Sequence, residues 1–105
     1  MTSAPDAAPV RGFVAEMDGA RWSYEGPLTF DEAGRVLTAS HALALPREGE
    51  IDLGGMGAFD SAAVAVLVAL ARRAAREERM LRFAGLPPGL SALAELYGVR
   101  DFLPG

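Results

Sequence analysis

Asp60 and Ser61 set an acid and a hydroxyl side by side, between the glycine-rich stretch Gly54-Gly-Met-Gly57 and the most apolar run of the chain, Ala62 to Ala71. Several kinds of chemistry could use such a pair. An aspartate or serine just before a helix accepts a hydrogen bond from the free first-turn amides and suits the positive end of the helix dipole, contributing about 1 kcal/mol. A serine just inside the helix points its hydroxyl outward beside those amides, where a phosphate would be electrostatically favoured. Nucleophilic catalysis would need Ser61, His41 and an acid, but Gly-x-Ser-x-Gly is absent and His41, the single histidine, falls at the worn end of a helix. Asp52 and Asp60 alone supply too few oxygens for magnesium, and no cofactor is implied.

The rest of the composition narrows the field. A chain of 105 residues, half of them hydrophobic and 23% charged, supports one compact core. We expect a tail over residues 1–10 and a single domain over 11–105. The net charge of −4 lacks the basic footprint that phosphate backbones demand, so nucleic acid is not an expected partner. All ten cations are arginine, and the densest group, Arg72, Arg73, Arg76 and Arg79 with Glu77 and Glu78, reads as the solvated end of a helix. Without cysteine there is no disulfide framework or thiolate metal site, which fits a reducing compartment. The first residues carry neither a basic start nor an apolar segment of the secretory kind. The longest apolar run, Ala62 to Ala71, is ten residues and too short to insert in a membrane.

The elements that must position the pair follow from patterning. Gly12–Met17 and Ala20–Tyr24 look like strands joined by an Asp18-Gly19 hairpin turn, and Gly26-Pro27 breaks the second. Thr29-Phe-Asp-Glu32 is a capping box that opens a first helix, which fades near Leu43 to Leu45 before Pro46. Glu50–Leu53 is a short strand, and Gly54, Gly55 and Gly57 form a tight loop that leaves the next helix at the sheet rim, where α/β sheets present their binding sites. That second helix spans Ser61 to Glu78, and its first three turns, apolar all round, should be buried. A strand follows over Met80–Ala84. Pro87-Pro88 then starts a third helix with an apolar stripe at Leu90, Leu93, Ala94 and Tyr97; Gly98 ends it in a left-handed cap, with Val99 packing back. Trp22 and Tyr24 share one strand face and are expected to pack. Alternating strands and helices give an α/β fold, a mixed β-sheet of about four to five strands with crossover helices packed on it.

The string Ile51-Asp-Leu-Gly-Gly-Met-Gly-Ala-Phe-Asp-Ser61 resembles the signature of STAS domains, in which a strand bearing an aspartate leads through glycines to an Asp-Ser or Asp-Thr pair at a helix start. Trp22–Asp31, Asp60–Leu67 and Leu93–Pro104 are similar to the MlaB branch of that family, whose members are small cytoplasmic subunits of bacterial Mla phospholipid transporters. The resemblance implies a non-enzymatic partner of an ABC transporter ATPase (MlaF-like), held indirectly to its permease at the inner membrane and supporting outer-membrane lipid asymmetry. It also implies a partner surface of Gly57, Phe59, Asp60, Ser61, Ala62 and Ala65, with Asp52 as a supporting acid. The alternative within the family is an anti-sigma factor antagonist whose Ser61 is phosphorylated by an anti-sigma serine kinase. Ala63 stands where many phosphorylated members have glycine.

Overall fold

The computed structural model describes residues 12–99, so the expected tail over residues 1–10 lies outside the described residues. Strands β1 (Gly12–Glu16), β2 (Arg21–Leu28), β3 (Glu50–Phe59) and β4 (Arg82–Ala84) form one sheet in the order β1-β2-β3-β4. Helices α1 (Phe30–Ser40), α2 (Ser61–Arg76) and α3 (Pro88–Leu96) follow β2, β3 and β4 in turn. β1 and β2 pair antiparallel, while β2–β3 and β3–β4 pair parallel, as connections through crossover helices require.

One face of the sheet carries the core. Trp22, Tyr24, Ile51, Leu53 and Phe83 alternate with polar neighbours and are buried with Val64, Leu67, Leu70, Leu90 and Ala94 of the helices. Phe13 stacks obliquely on Trp22 and edge-on to Tyr24, with ring centroids 5.5 and 4.8 Å away. The buried polar ends of both rings are satisfied: Trp22 Nε1 donates to the carbonyl of Ala44 (3.1 Å), and the Tyr24 hydroxyl to that of Pro27 (2.7 Å). The opposite face is open and mostly polar. There Glu50 lies between its strand neighbours Arg21, at 3.2 Å, and Arg82, and Ser23 donates to Glu16.

Several boundaries differ from the sequence expectation, each for a local reason. The hairpin is a four-residue connection, Met17 to Ala20, rather than a two-residue Asp-Gly turn, with Met17, Asp18 and Gly19 all at positive φ. β2 continues through Gly26 and Pro27 to Leu28, with Gly26 paired to Met56 and Leu28 to Phe59 of β3 and Pro27 left at a register slip between them, where a missing ladder donor is tolerated. The largest change concerns Gly54, Gly55 and Gly57, which are strand and not loop. β3 uses ten residues alongside the eight of β2, and the register slips once between Ser23 and Glu25 and once between Gly26 and Leu28. Each slip places one extra residue in β3, and glycine is the residue that bulges demand. At Gly55 a Cβ would stand 2.6 Å from the Tyr24 carbonyl oxygen. β4 is also shorter than expected, since Met80 is solvent-exposed and Arg82 makes the first bond, to the Gly49 carbonyl (2.7 Å).

Arg73 corrects the reading of the arginine cluster as wholly solvated. α1 stops at Ser40, short of the expected Leu43 to Leu45, and its unsatisfied end is met by the Arg73 guanidinium, which donates to the carbonyls of Ser40 (3.1 Å) and Leu43 (2.7 Å). Cations are favoured at helix C-termini, so one side chain of α2 both bonds and neutralises the end of α1. Arg79 donates to the Pro46 carbonyl in the loop that follows, at 2.9 Å, while Arg72 and Arg76 are exposed. Replacing Arg73 by methionine, which keeps the aliphatic stem, is expected to destabilise the fold by about 1–3 kcal/mol in urea unfolding; an unchanged midpoint would show that the guanidinium bonds contribute nothing.

Candidate protein-binding site

Position along the strands decides where the two central helices begin. Leu28, the last residue of β2, pairs with Phe59, the last residue of β3. Without the two extra residues Leu28 would face Gly57, and α2 would start about 7 Å further along than α1. With the bulges, Thr29-Phe30 and Asp60-Ser61 leave the sheet side by side. Thr29 and Glu32 close the expected capping box, in which the Glu32 carboxylate accepts from both the amide (2.8 Å) and the hydroxyl (2.6 Å) of Thr29. Asp60 caps α2: its Oδ1 accepts from Ala62 N (2.8 Å) and its backbone carbonyl from Ala63 N (3.0 Å). Its other oxygen, Oδ2, accepts from Phe30 N (3.1 Å), the first amide of α1.

Ser61 is therefore the first helical residue, and it is exposed. One turn on, Ala65 is exposed too, and Ala69 and Arg72 continue the same line. α2 is thus not buried all round: Ala65 and Ala69 continue Ser61 in an outward stripe, while Ala63, Val64, Val66, Leu67 and Leu70 face inward. Two apolar grooves flank the stripe. The one toward α3, about 400 Å³, is bounded by Ser61, Val64, Ala65, Val68, Arg72 and Tyr97. The one toward α1, about 470 Å³, is bounded by Phe30, Ala33, Leu37, Asp60, Ser61 and Ala65. Their outer walls end in aromatic side chains that are largely in solvent, Phe30 at 82% exposure and Tyr97 at 55%.

The other residues expected at this site are placed differently. Phe59 is half-buried, with its ring against Gly89 at the start of α3, so it braces that helix. Gly57 is exposed but lies in β3 beside Gly26 and Pro27. Asp52 is not near Ser61: seven residues of strand separate it from Asp60, and its Oδ1 accepts from Gly54 N (2.8 Å), closing a local turn at the first bulge. Tyr97 belongs to the exposed rim and not to the core stripe of α3, although Gly98 (φ +72°) and the bond from Val99 N to the Ala94 carbonyl (2.9 Å) form the expected cap. His41 is exposed at the end of α1. Sequence reasoning missed Phe30 and the groove it walls. Its signal was the capping box itself, because a box at Thr29 and Glu32 fixes Phe30 as the first helical residue, ahead of the turn that packs.

A family model described as "Mlab, STAS domain" matches residues 16–104, and the chain belongs to the STAS domain family. Comparison with curated proteins gives no match. Among the described residues, no helix is long and apolar enough to cross a membrane.

The hydroxyl of Thr29, then its amide, holds the Glu32 carboxylate below the ordinary carboxylate range. A depressed carboxyl stabilises the fold above its unfolded value, about 4.3, and that contribution is lost as pH falls through the folded value. Glu32→Gln is accordingly expected to melt below the parent at pH 7, with the gap closing below about pH 4. A gap independent of pH would mean that the charge on Glu32 contributes nothing to α1.

Proposed function

We propose that this chain is a non-enzymatic subunit that binds the ATPase of an Mla-type ABC transporter, supports its assembly and activity, and so serves phospholipid transport that maintains outer-membrane lipid asymmetry. It would sit in the cytoplasm against the inner membrane, held there through the transporter. The observation that carries this reading is the outward stripe Ser61–Ala65–Ala69 between two apolar grooves. Small side chains let a partner helix approach closely, the grooves accept its larger apolar side chains, and excluded apolar area supplies most of the favourable free energy. Ser61 offers a directional hydrogen bond at the centre of that contact. The ends of the stripe differ in sign, Asp60 at one and Arg72 at the other, which sets the direction in which a partner of opposite charge pattern lies. The MlaB description of the matching family model supports the choice of partner.

One observation favours a second reading. The Ser61 hydroxyl makes no hydrogen bond among the described residues and stands exposed at a helix start, a position open to a kinase, as in an anti-sigma factor antagonist. Affinity capture from the native host separates the two: an ABC ATPase with its permease supports transport, and a serine kinase with a sigma-associated partner overturns it.

With purified ATPase, Ser61→Ala should weaken binding about threefold, and Ser61→Glu at least tenfold, since a charge would be desolvated against an apolar partner. Ala65→Arg, which fills the stripe, should match Ser61→Glu. Equal binding by all of these forms would sink the assignment of this surface.

A further inference from the structure

The Asp60 carboxylate does more than cap its own helix. Its two oxygens serve the N-termini of two helices: Oδ1 takes Ala62 N of α2 and Oδ2 takes Phe30 N of α1. Those helices are the walls of one groove, with Phe30, Ala33 and Leu37 on one side and Ala62, Ala65 and Val66 on the other. We propose that Asp60 is a positioning residue that clasps α1 to α2 and holds Phe30 at the groove mouth, and that a negative charge placed on Ser61 acts on the groove by loosening this clasp.

The reasoning is geometric and electrostatic. Leu28 and Phe59 are paired, so the two helix starts are already neighbours, but the sheet fixes only their last strand residues. Beyond them, the Asp60 carboxylate is the hydrogen-bonded link between the two starts among the described residues, and a carboxylate is the one short side chain with two acceptor oxygens. Both amides are first-turn donors that no helical carbonyl can reach, and both helix dipoles favour the negative charge between them. The outer wall depends on that link, because Phe30 is 82% exposed and has little packing to hold it. A phosphate or glutamate at residue 61 is adjacent in sequence, repels the Asp60 carboxylate and competes for the same first-turn amides of α2. Asp60 must then give up one partner, and the exposed bond to Phe30 N, at 3.1 Å against 2.8 Å for the cap, is the weaker of the two. Charge at Ser61 would thus alter a wall on another helix as well as the spot it occupies.

The test uses the full chain labelled with 15N. Asp60→Asn retains the size of the side chain and a good N-cap, but an amide has one acceptor oxygen, so with it at the Oδ1 position toward Ala62 N the group facing Phe30 N is an NH2 donor. Asp60→Ser, which caps α2 and is too short to reach α1, guards against an uninformative fold change in the first variant. In both, the Phe30 amide signal is expected to move and its exchange with solvent to quicken about tenfold, consistent with loss of one hydrogen bond to a charged acceptor, while the amides of Val66 to Leu70 keep their protection. Ser61→Glu, with Asp60 intact, is expected to reproduce the change at Phe30. An unchanged Phe30 amide in the Asp60 variants overturns the clasp, and an unchanged Phe30 amide in Ser61→Glu overturns the coupling. The proposal takes its significance from the reading of the groove as a partner surface, yet the isolated chain reports it: a Phe30 response without any binding of the parent protein to the ATPase leaves the clasp standing and removes only that function.

Discussion

The register of β2 on β3 is the constraint from which the rest of this structure follows. Parallel strands can deliver two helices to one place only if their ends coincide, and β3 reaches Phe59 with two more residues than β2 needs to reach Leu28. The excess is taken up by a strand segment in which Gly54, Gly55 and Gly57 tolerate bulges and the close approach of Tyr24. Once the ends coincide, one carboxylate reaches two helix starts, Ser61 falls between two grooves, and Phe30 and Tyr97 become their outer walls.

A second dependence runs along α2. Its inner face supplies the valines and leucines that cover Ile51, Leu53 and Phe83, so the helix cannot rotate without uncovering apolar surface that stabilises the fold by about 25 cal/mol per Å². That fixed rotation is what keeps the alanine stripe outward. At the far end of the helix Arg73 reaches across to the last carbonyls of α1, while at the near end Asp60 reaches the first amide of α1. The two helices are consequently joined at both ends by charge-assisted hydrogen bonds of opposite sign, each matched to the local end of the α1 dipole.

Features governed by nearest neighbours were legible in the sequence. The box at Thr29 and Glu32, the Asp60 cap, the glycine cap at Gly98 and the alternation of Trp22 and Tyr24 all rest on interactions within a few residues. The mixed sheet with crossover helices followed from the order of those elements. What escaped depends on partners distant in the chain. Gly54 to Gly57 look like a loop until a neighbouring strand makes bulges of them, and Pro27 looks like a breaker until it is seen at a register slip between β2 and β3. Arg73 looks solvated until the open end of α1 is placed within its reach. Asp52 and Asp60 look like companions in a string of eleven residues, and an extended strand carries them apart. The first turns of α2 look buried all round until its inner face is filled by Val64, Leu67 and Leu70, which leaves Ala65 outward.

The open face of the sheet gives the domain a handedness of contact. Val14 pairs with Ser23 on this face, and around it Glu16, Arg21, Glu50, Asp52 and Arg82 form a lattice of opposite charges that water covers well. Such a surface resists stacking against a second layer, because every ion pair in it would have to be stripped of solvent. The helical side has no comparable guard at Phe30, Leu96 and Tyr97. The molecule is therefore a one-sided tile, with its exposed apolar side chains on the helical surface and a hydrated glaze of ion pairs on the other.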